Sequence, residues 1–363
     1  MGLAQFTYKS TFLDKTKLDS FRGEEMNGMI TQGSELSIIA TARNDNHGGN
    51  LLHRMQIFAN GLLAQSAKYR LRTELVLIEW NPPSDKPKLT QALSWPKRHN
   101  FCTVRIIEVP PKIHRRYKHS DNLPLYQMIA KNVGIRRARG EFILATNIDI
   151  LFSDELFAFF ASGKITKGKM YRVDRYDVQG DIPLESSIDE QLSYCHQNII
   201  RISSRDGTRN LITDDYHMVY PPNGGVERAC LHTNACGDFT LLAKEHWHEL
   251  CGYPEFDMFS FHLDSLLCFM AHHGGASEEI LGDPMRIYHI EHKSGWTPEV
   301  HKDKTLDNRL KRANILTLSN AEFDNFAVKM TKEKQPIIFN NENWGLANEA
   351  LPETIVCGGG NSK

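Results

Sequence analysis

Residues 140–156 read GEFILATNIDILFSDEL, and this stretch decides the fold. Phe142, Ile143, Leu144, Ala145 and Thr146 make an apolar strand that stops at Asn147-Ile148-Asp149, and a second apolar segment starts at once. An unpaired carboxylate at the end of a buried strand is costly to bury. The same carboxylate is well placed to hold a metal at the carboxyl edge of an α/β sheet, where ligands gather. Taken alone, the segment also reads as a strand-end turn containing an Asn and an Asp. The rest of the chain decides between the two.

Upstream, residues 36–41 form a first buried strand, followed by the polar loop RNDNHGG at 43–49. Asn50 is placed to cap the next helix, in which Leu51, Met55, Phe58, Ala59, Leu62 and Leu63 recur on one face. A second strand at 75–80 is stopped by Asn81-Pro82-Pro83, and a third at 104–109 by Pro110-Pro111. Pro124 suits the first turn of a helix whose inner face is Leu125, Met128, Ile129 and Val133, and Gly140 ends that unit. Near-continuous apolar strands are buried on both faces, so the expected fold class is α/β, a Rossmann-like, mainly parallel sheet flanked by helices. Neither G-x-G-x-x-G nor G-x-x-x-x-G-K-[ST] is present, which disfavours an NAD enzyme and a P-loop NTPase.

The second half reads as a strand at 171–178, a long irregular stretch at 180–235, and a strand at 239–243. A short helix at 244–250, a helix at 262–271 and a late strand at 286–290 ending near His292 complete it. His272-His273-Gly274-Gly275 has the composition of a helix C-terminus. The expected organisation is an N-terminal extension at 1–34, a catalytic unit at 35–293 and a C-terminal extension at 294–363 whose GGGNSK end reads as disordered.

With 363 residues, a net charge of −1 and a pI of about 7.0, nothing global points to a nucleic-acid partner. Seven cysteines without a C-x-x-C pattern read as free thiols in a reducing compartment. The N-terminus has no secretory apolar core, Phe6 occupies the Ser/Thr position of the myristoylation pattern, and no run has the roughly 18 apolar residues of a membrane span. A cytoplasmic location is therefore expected, with peripheral contact at the inner face of a membrane left open.

Six pieces, in order, resemble a GT-A-type glycosyltransferase, the fold that moves a sugar from a nucleoside diphosphate. They are SIIATARND (37–45), IEWNPP (78–83), AKNVGIRRARGEFILATNID (130–149), GDFTLLAKEHWHELCGYPEF (237–256), FHLDSLLCFMAHHGG (261–275) and IYHIEH (287–292). The resemblance implies a nucleotide-binding half at 35–150 and an acceptor half at 151–293. It places Thr41, Arg43, Asp45 and Glu79 at the nucleotide, with Lys131, Asn132 and Arg139 lining the donor site. Two departures stand out: the D-x-D metal motif is Asn147-Ile148-Asp149, and the acidic pair of the catalytic helix is Leu263-Asp264.

Sugar transfer needs the departing diphosphate neutralised and the acceptor hydroxyl deprotonated. A divalent metal, Mn2+ or Mg2+, meets the first need. Asp149 is the expected principal ligand, with Asn147 beside it, and an imidazole in the set leans toward Mn2+. His289 and His292 are the candidates; three apart in an extended strand, they face opposite sides, so one ligand is expected, His292 for preference. Asp264 is the expected general base, which implies inversion. The basic run Lys112 to Lys118 reads as a loop closing on diphosphate or as a solvated loop, and residues 223–238, with Asn234 and Asp238, as shaping the acceptor site. The expected donor is a UDP-sugar, and the acceptor a glycan, glycolipid or other hydroxyl compound of the kind used in cell-surface polysaccharide assembly. A retaining transferase, a non-catalytic nucleotide-sugar or glycan-binding module, and a metal-dependent hydrolase stay open at this point.

Overall fold

A computed structural model describes residues 35–218, 228–292 and 305–358. The expected extension at 1–34, the Asn223 segment and the chain end from residue 359 lie outside the described residues. Strands β1 (Leu36–Ala42), β2 (Thr73–Trp80), β3 (Cys102–Val109) and β4 (Phe142–Thr146) form a parallel centre in the order β4-β1-β2-β3. Helix α1 (Leu51–Lys68) links β1 to β2, and α2 (Gln127–Arg137) leads into β4. Alternate residues of each strand go to opposite faces. Ile39, Val76, Ile78, Ile107 and Ile143 pack with Ile129 and Val133 of α2. Ile38, Leu75, Leu77, Ile106 and Leu144 pack with Met55, Phe58 and Leu62 of α1. Both faces are covered, which is why apolar residues dominate the middle of these strands, as the α/β reading requires.

Two local expectations fail at helix starts. Asn50 has φ 48° and its side chain caps nothing; Asn46 Oδ1 accepts from the Leu51 N–H at 3.3 Å instead. Helix α2 begins at Gln127 rather than at Pro124, whose carbonyl accepts from the Asn81 side chain at 3.3 Å.

Beyond the centre come β5 (Ile150–Phe152), α3 (Asp154–Ala161), β6 (Lys169–Val173) and β7 (Arg175–Val178). The strand expected at 171–178 thus breaks at Asp174, and its halves serve different sheets. The stretch expected to be irregular holds α4 (Ile188–Gln197) and the antiparallel run β8 (Ile199–Ser203), β9 (Gly207–Asn210) and β10 (Tyr216–Met218). Ser187 and Glu190 form a capping box on α4, a start signal that the composition of the segment conceals. Then follow β11 (Phe239–Ala243), α5 (Lys244–Glu249), α6 (Leu263–His273), β12 (Ser277–Leu281) and β13 (Ile287–Ile290). Helices α7 (Thr305–Arg312) and α8 (Asn320–Glu333) and strand β14 (Glu353–Cys357) close the described chain.

The main sheet has eight strands, β12-β6-β11-β4-β1-β2-β3-β14, with β11 and β14 antiparallel to their central neighbours. A second sheet of six runs β10-β9-β8-β7-β13-β5. Since β5 follows β4 after only three residues, the chain passes from one sheet to the other at Asn147-Ile148-Asp149. The C-terminal residues pack on the same body. Arg137 donates to the carbonyls of Gly345 (2.6 Å) and Leu346 (2.7 Å), and Arg136 lies over the Trp344 ring.

Gly140 lets β4 start against β1. A methyl group there would sit 2.7 Å from the Ser37 backbone nitrogen, and the Gly140 N–H donates to Ser37 Oγ at 2.8 Å. Backbone cannot step aside as a side chain can. Gly140→Ala is expected to lower stability by about 1–3 kcal/mol, read as a drop in the urea midpoint at unchanged slope.

Candidate functional site

A cavity of about 1010 Å3 opens at the carboxyl ends of β1 and β4. Thr41, Arg43 and Asp45 reach it from the end of β1, Asn147 and Asp149 from the sheet crossing, and His289 and His292 from the end of β13. Asp264 reaches it from the first turn of α6.

Asp149 is buried. Its Oδ2 lies 3.2 Å from His292 Nε2, 3.9 Å from His289 Nε2 and 3.7 Å from Arg54 Nε. Burial alone would raise its pKa, but His289, the hydrogen bond from His292 and Arg54 outweigh it and hold the carboxyl well below the usual range. The two histidines therefore do not face opposite sides. Strand β13 ends at Ile290, so alternation no longer governs residue 292, and the chain brings both rings within 5.3 Å of each other.

His289 is held from behind. Its Nδ1 lies 2.7 Å from Asp177 Oδ1. Asp177 is fully buried and also paired with Arg201 at 3.1 Å and Arg175 at 3.0 Å. Burial lowers the His289 pKa, yet Asp149 and Asp177 together push it up to about 9.

The residues present fit a divalent metal. Asp149, His289 and His292 offer one carboxylate and two imidazoles whose ligand atoms lie within 4.8 Å of one another. Asp149 Oδ1 is buried and, among the described residues, has no hydrogen-bond partner. An imidazole whose second nitrogen is tied to a carboxylate is the usual support of a metal-binding histidine.

Asn147 is committed differently. Its Oδ1 accepts from Gln127 Nε2 at 2.9 Å, and its Nδ2 donates to Asp238 Oδ1. Asp238 in turn takes a 2.6 Å bond from Arg175. An aspartate at 147 would set two carboxylates against each other, a physical reason for the amide in Asn147-Ile148-Asp149.

Asp264 is half-buried and accepts from its own neighbour, Ser265 N–H, at 2.9 Å. A methyl group on Gly237 would come within 2.8 Å of its Oδ2, so the turn before β11 leaves no room for a side chain beside this carboxylate. His262, just before α6, has φ 66° and stacks on Phe323 at 4.8 Å.

The remaining expected residues divide. Arg43 lines the cavity, with Nε donating to the Asn81 carbonyl at 2.7 Å and its NH1 on Asp45 at 3.0 Å, so it ties the ends of β1 and β2 together. Thr41 also lines it, and its hydroxyl donates to the Ile78 carbonyl at 3.2 Å. Glu79, Lys131, Asn132 and Arg139 are not among the lining residues. Glu79 is buried, accepts from the Leu89 N–H at 2.9 Å, and has its pKa pushed up to about 6 by burial. Asn132 is buried between the Tyr253 backbone and Glu255, and Arg139 is an exposed side chain beside Glu353. Lys131 is fully buried, donates to the Gly237 carbonyl at 2.6 Å, and has its pKa lowered to about 8 by burial. In the basic run at 112–118, Lys112, Arg115, Arg116 and Lys118 are exposed, as the solvated-loop reading has it, while Ile113 and His114 are buried, His114 accepting from the Trp80 indole at 2.9 Å; none of the run lines the cavity.

Arg54, Arg175 and Asp177 escaped the sequence reading. Arg54 falls inside the apolar stripe of α1 between Leu51 and Phe58, and Arg175 and Asp177 are two apart on one strand face; both are signals of charges turned inward.

No protein-family model and no curated protein matches the chain. Among solved structures, the catalytic domain of Drosophila beta1,4-galactosyltransferase 7, in complex with xylobiose, matches with a TM-score of 0.33 at 9% identity, covering 74% of this chain and 78% of that one. A mannosyltransferase from Pyrobaculum calidifontis, in complex with GDP-Man and Mn2+, matches with a TM-score of 0.38 at 12% identity, covering 86% of this chain and 72% of that one. At scores this low the functional reading rests on the site's own geometry.

The Asn147–Asp238 pair yields a double-mutant test. Asn147→Asp is expected to destabilise the protein, and Asn147→Asp combined with Asp238→Asn to recover part of the loss, with a coupling of about 1–3 kcal/mol in urea unfolding.

Proposed function

We propose that the protein is a metal-dependent glycosyltransferase that moves one sugar from a nucleoside diphosphate donor to a hydroxyl acceptor, with inversion at the anomeric carbon. The observation that carries this reading is a single cavity holding a buried Asp149 with two histidines on one wall and the Asp264 carboxylate on another. A divalent metal, Mn2+ ahead of Mg2+, would supply Lewis-acid neutralisation of the departing diphosphate. Asp149, His292 and His289 are the residues that would hold it. Asp177 fixes the His289 ring from behind, so its other nitrogen is presented to the cavity.

Asp264 takes the proton of the acceptor hydroxyl as that oxygen bonds to the anomeric carbon and the carbon–oxygen bond to the diphosphate breaks. There is room for no side chain at Gly237 beside this carboxylate, and Lys131 bonds the Gly237 carbonyl, which fixes the turn next to the group that must meet the proton. Thr41, Arg43, Asp45 and Asn147 line the donor half.

The proposed catalytic unit is residues 35–293, divided into a nucleotide half (35–150) and an acceptor half (151–293), with an extension at 1–34 and a C-terminal stretch, 294–363, of which β14 joins the main sheet and α7 and α8 contribute to the cavity lining. UDP is the first donor nucleotide to test, and a glycan or glycolipid of cell-surface assembly the first acceptor class. No helix among the described residues is long and apolar enough to cross a membrane. The proposed setting is the cytoplasm, including contact with the inner face of a membrane.

A thermal-shift panel of UDP, GDP, CDP and ADP, with and without Mn2+, tests the donor site. One nucleotide is expected to raise the melting temperature only with metal, in the wild type and in Asp264→Asn but not in Asp149→Ala. With the matching sugar donor, Asp264→Asn is expected to lose about 100-fold or more in turnover. No shift with any nucleotide on the wild type overturns the reading. Full turnover in Asp264→Asn overturns the role of the base and the inverting assignment.

A further inference from the structure

Helix α1 buries one of its charges against the candidate metal ligand. Arg54 is 2% exposed and lines the cavity. Its two terminal nitrogens donate to backbone carbonyls of the preceding loop, NH1 to Gly49 and NH2 to His47 at 2.8 Å. Nε is buried and, among the described residues, has no hydrogen-bond partner. It stands 3.7 Å from Asp149 Oδ2, too far for a hydrogen bond.

The loop is built to hold this arrangement. Asn46, Gly48, Gly49 and Asn50 have φ of 61°, 71°, 75° and 48°, a left-handed curl that Gly and Asn enter at least cost. The curl turns the two carbonyls onto the guanidinium. Arg54 is thus clamped from one side, and Nε–H is left beside Asp149 at the cavity wall as its one side-chain nitrogen without a hydrogen-bond partner among the described residues.

The local charge balance says what that N–H is for. Most other carboxylates at the cavity and behind it already have cations: Asp45 has Arg43 at 3.0 Å, Asp238 has Arg175 at 2.6 Å, Glu291 has Arg201 at 3.3 Å, and Asp177 has Arg175 and Arg201; Asp264, on α6, is the exception among the described residues. Arg54 shares Asp149 with the two histidines. Once a divalent cation takes Asp149, the cation and Arg54 lie side by side with positive charge in excess. An anion carrying at least two negative charges, with one oxygen on the metal and a neighbouring one on Arg54, balances it.

We infer that Arg54 is the protein's own receptor for a diphosphate oxygen, so that the metal and the diphosphate bind cooperatively while Arg54 and the metal alone oppose each other. This rests on reading the cavity as a donor site, and it adds a residue to that reading. The sign of the effect on the metal separates it from a merely structural role.

The test uses no nucleotide and no sugar. Mn2+ alone and preformed Mn2+–pyrophosphate are titrated into the wild type, Arg54→Gln and Arg54→Lys. The wild type is expected to bind the complex more tightly than Mn2+ alone. Arg54→Gln is expected to bind Mn2+ alone at least as tightly as the wild type, because a repelling charge is gone, and the complex about tenfold more weakly. Should Arg54→Gln fail to fold, Arg54→Lys carries the test: it keeps the charge but not the planar fork, and an about threefold or greater loss for the complex at unchanged Mn2+ affinity is expected. Parallel losses for Mn2+ and the complex, unchanged affinity for the complex, or a wild type that does not bind it overturn the inference. Binding of the complex by a wild type that no nucleotide stabilises would keep the diphosphate site and remove the sugar-nucleotide reading.

Discussion

The site is organised by the cost of burying the Asp149 carboxylate. A charge in the interior must be compensated where it stands, and this one is met by His289 and His292 from the end of β13 and by Arg54 from α1. Each compensating group then needs support of its own. His289 leans on Asp177, Asp177 on Arg175 and Arg201, and Arg175 on Asp238, which holds Asn147. One buried carboxylate thus accounts for a connected run of charges across both sheets.

The same run explains why the site sits at the seam between the sheets. Strand β4 belongs to the parallel centre and β5 to the second sheet, so the three residues between them face a wedge that neither sheet fills. Strands β7 and β13 of the second sheet bring Arg175, Asp177 and His289 to the opposite side. Helix α6 and the turn before β11 close the third side with Asp264 and Gly237. A polar wedge between two apolar cores is where water can be excluded while charges stay paired, the condition under which electrostatic stabilisation is strongest.

The negative findings are as informative. Glu79, Asn132 and Arg139 fall on stretches that resemble a sugar-nucleotide site, yet each is spent on structure: Glu79 on the Leu89 amide, Asn132 on Tyr253 and Glu255, and Arg139 at the surface beside Glu353. A motif position tells which residue is near a strand end. It does not tell which side of the strand end the side chain leaves by, and a single peptide step reverses that.

What the sequence by itself determined is the periodic part of the protein. Apolar runs at 36–41, 75–80, 104–109 and 142–146 have one way to be buried on both faces, and the parallel centre follows from them. The Asn-Ile-Asp break was legible too, because a carboxylate ending such a run has to be compensated. Tertiary structure alone decided the partners. Arg54, Asp177 and His292 lie far apart in the chain, and their meeting depends on how two sheets and a helix are docked. It also decided that both histidines converge on Asp149, since strand alternation ends at Ile290 and the backbone beyond it is shaped by packing, not by period.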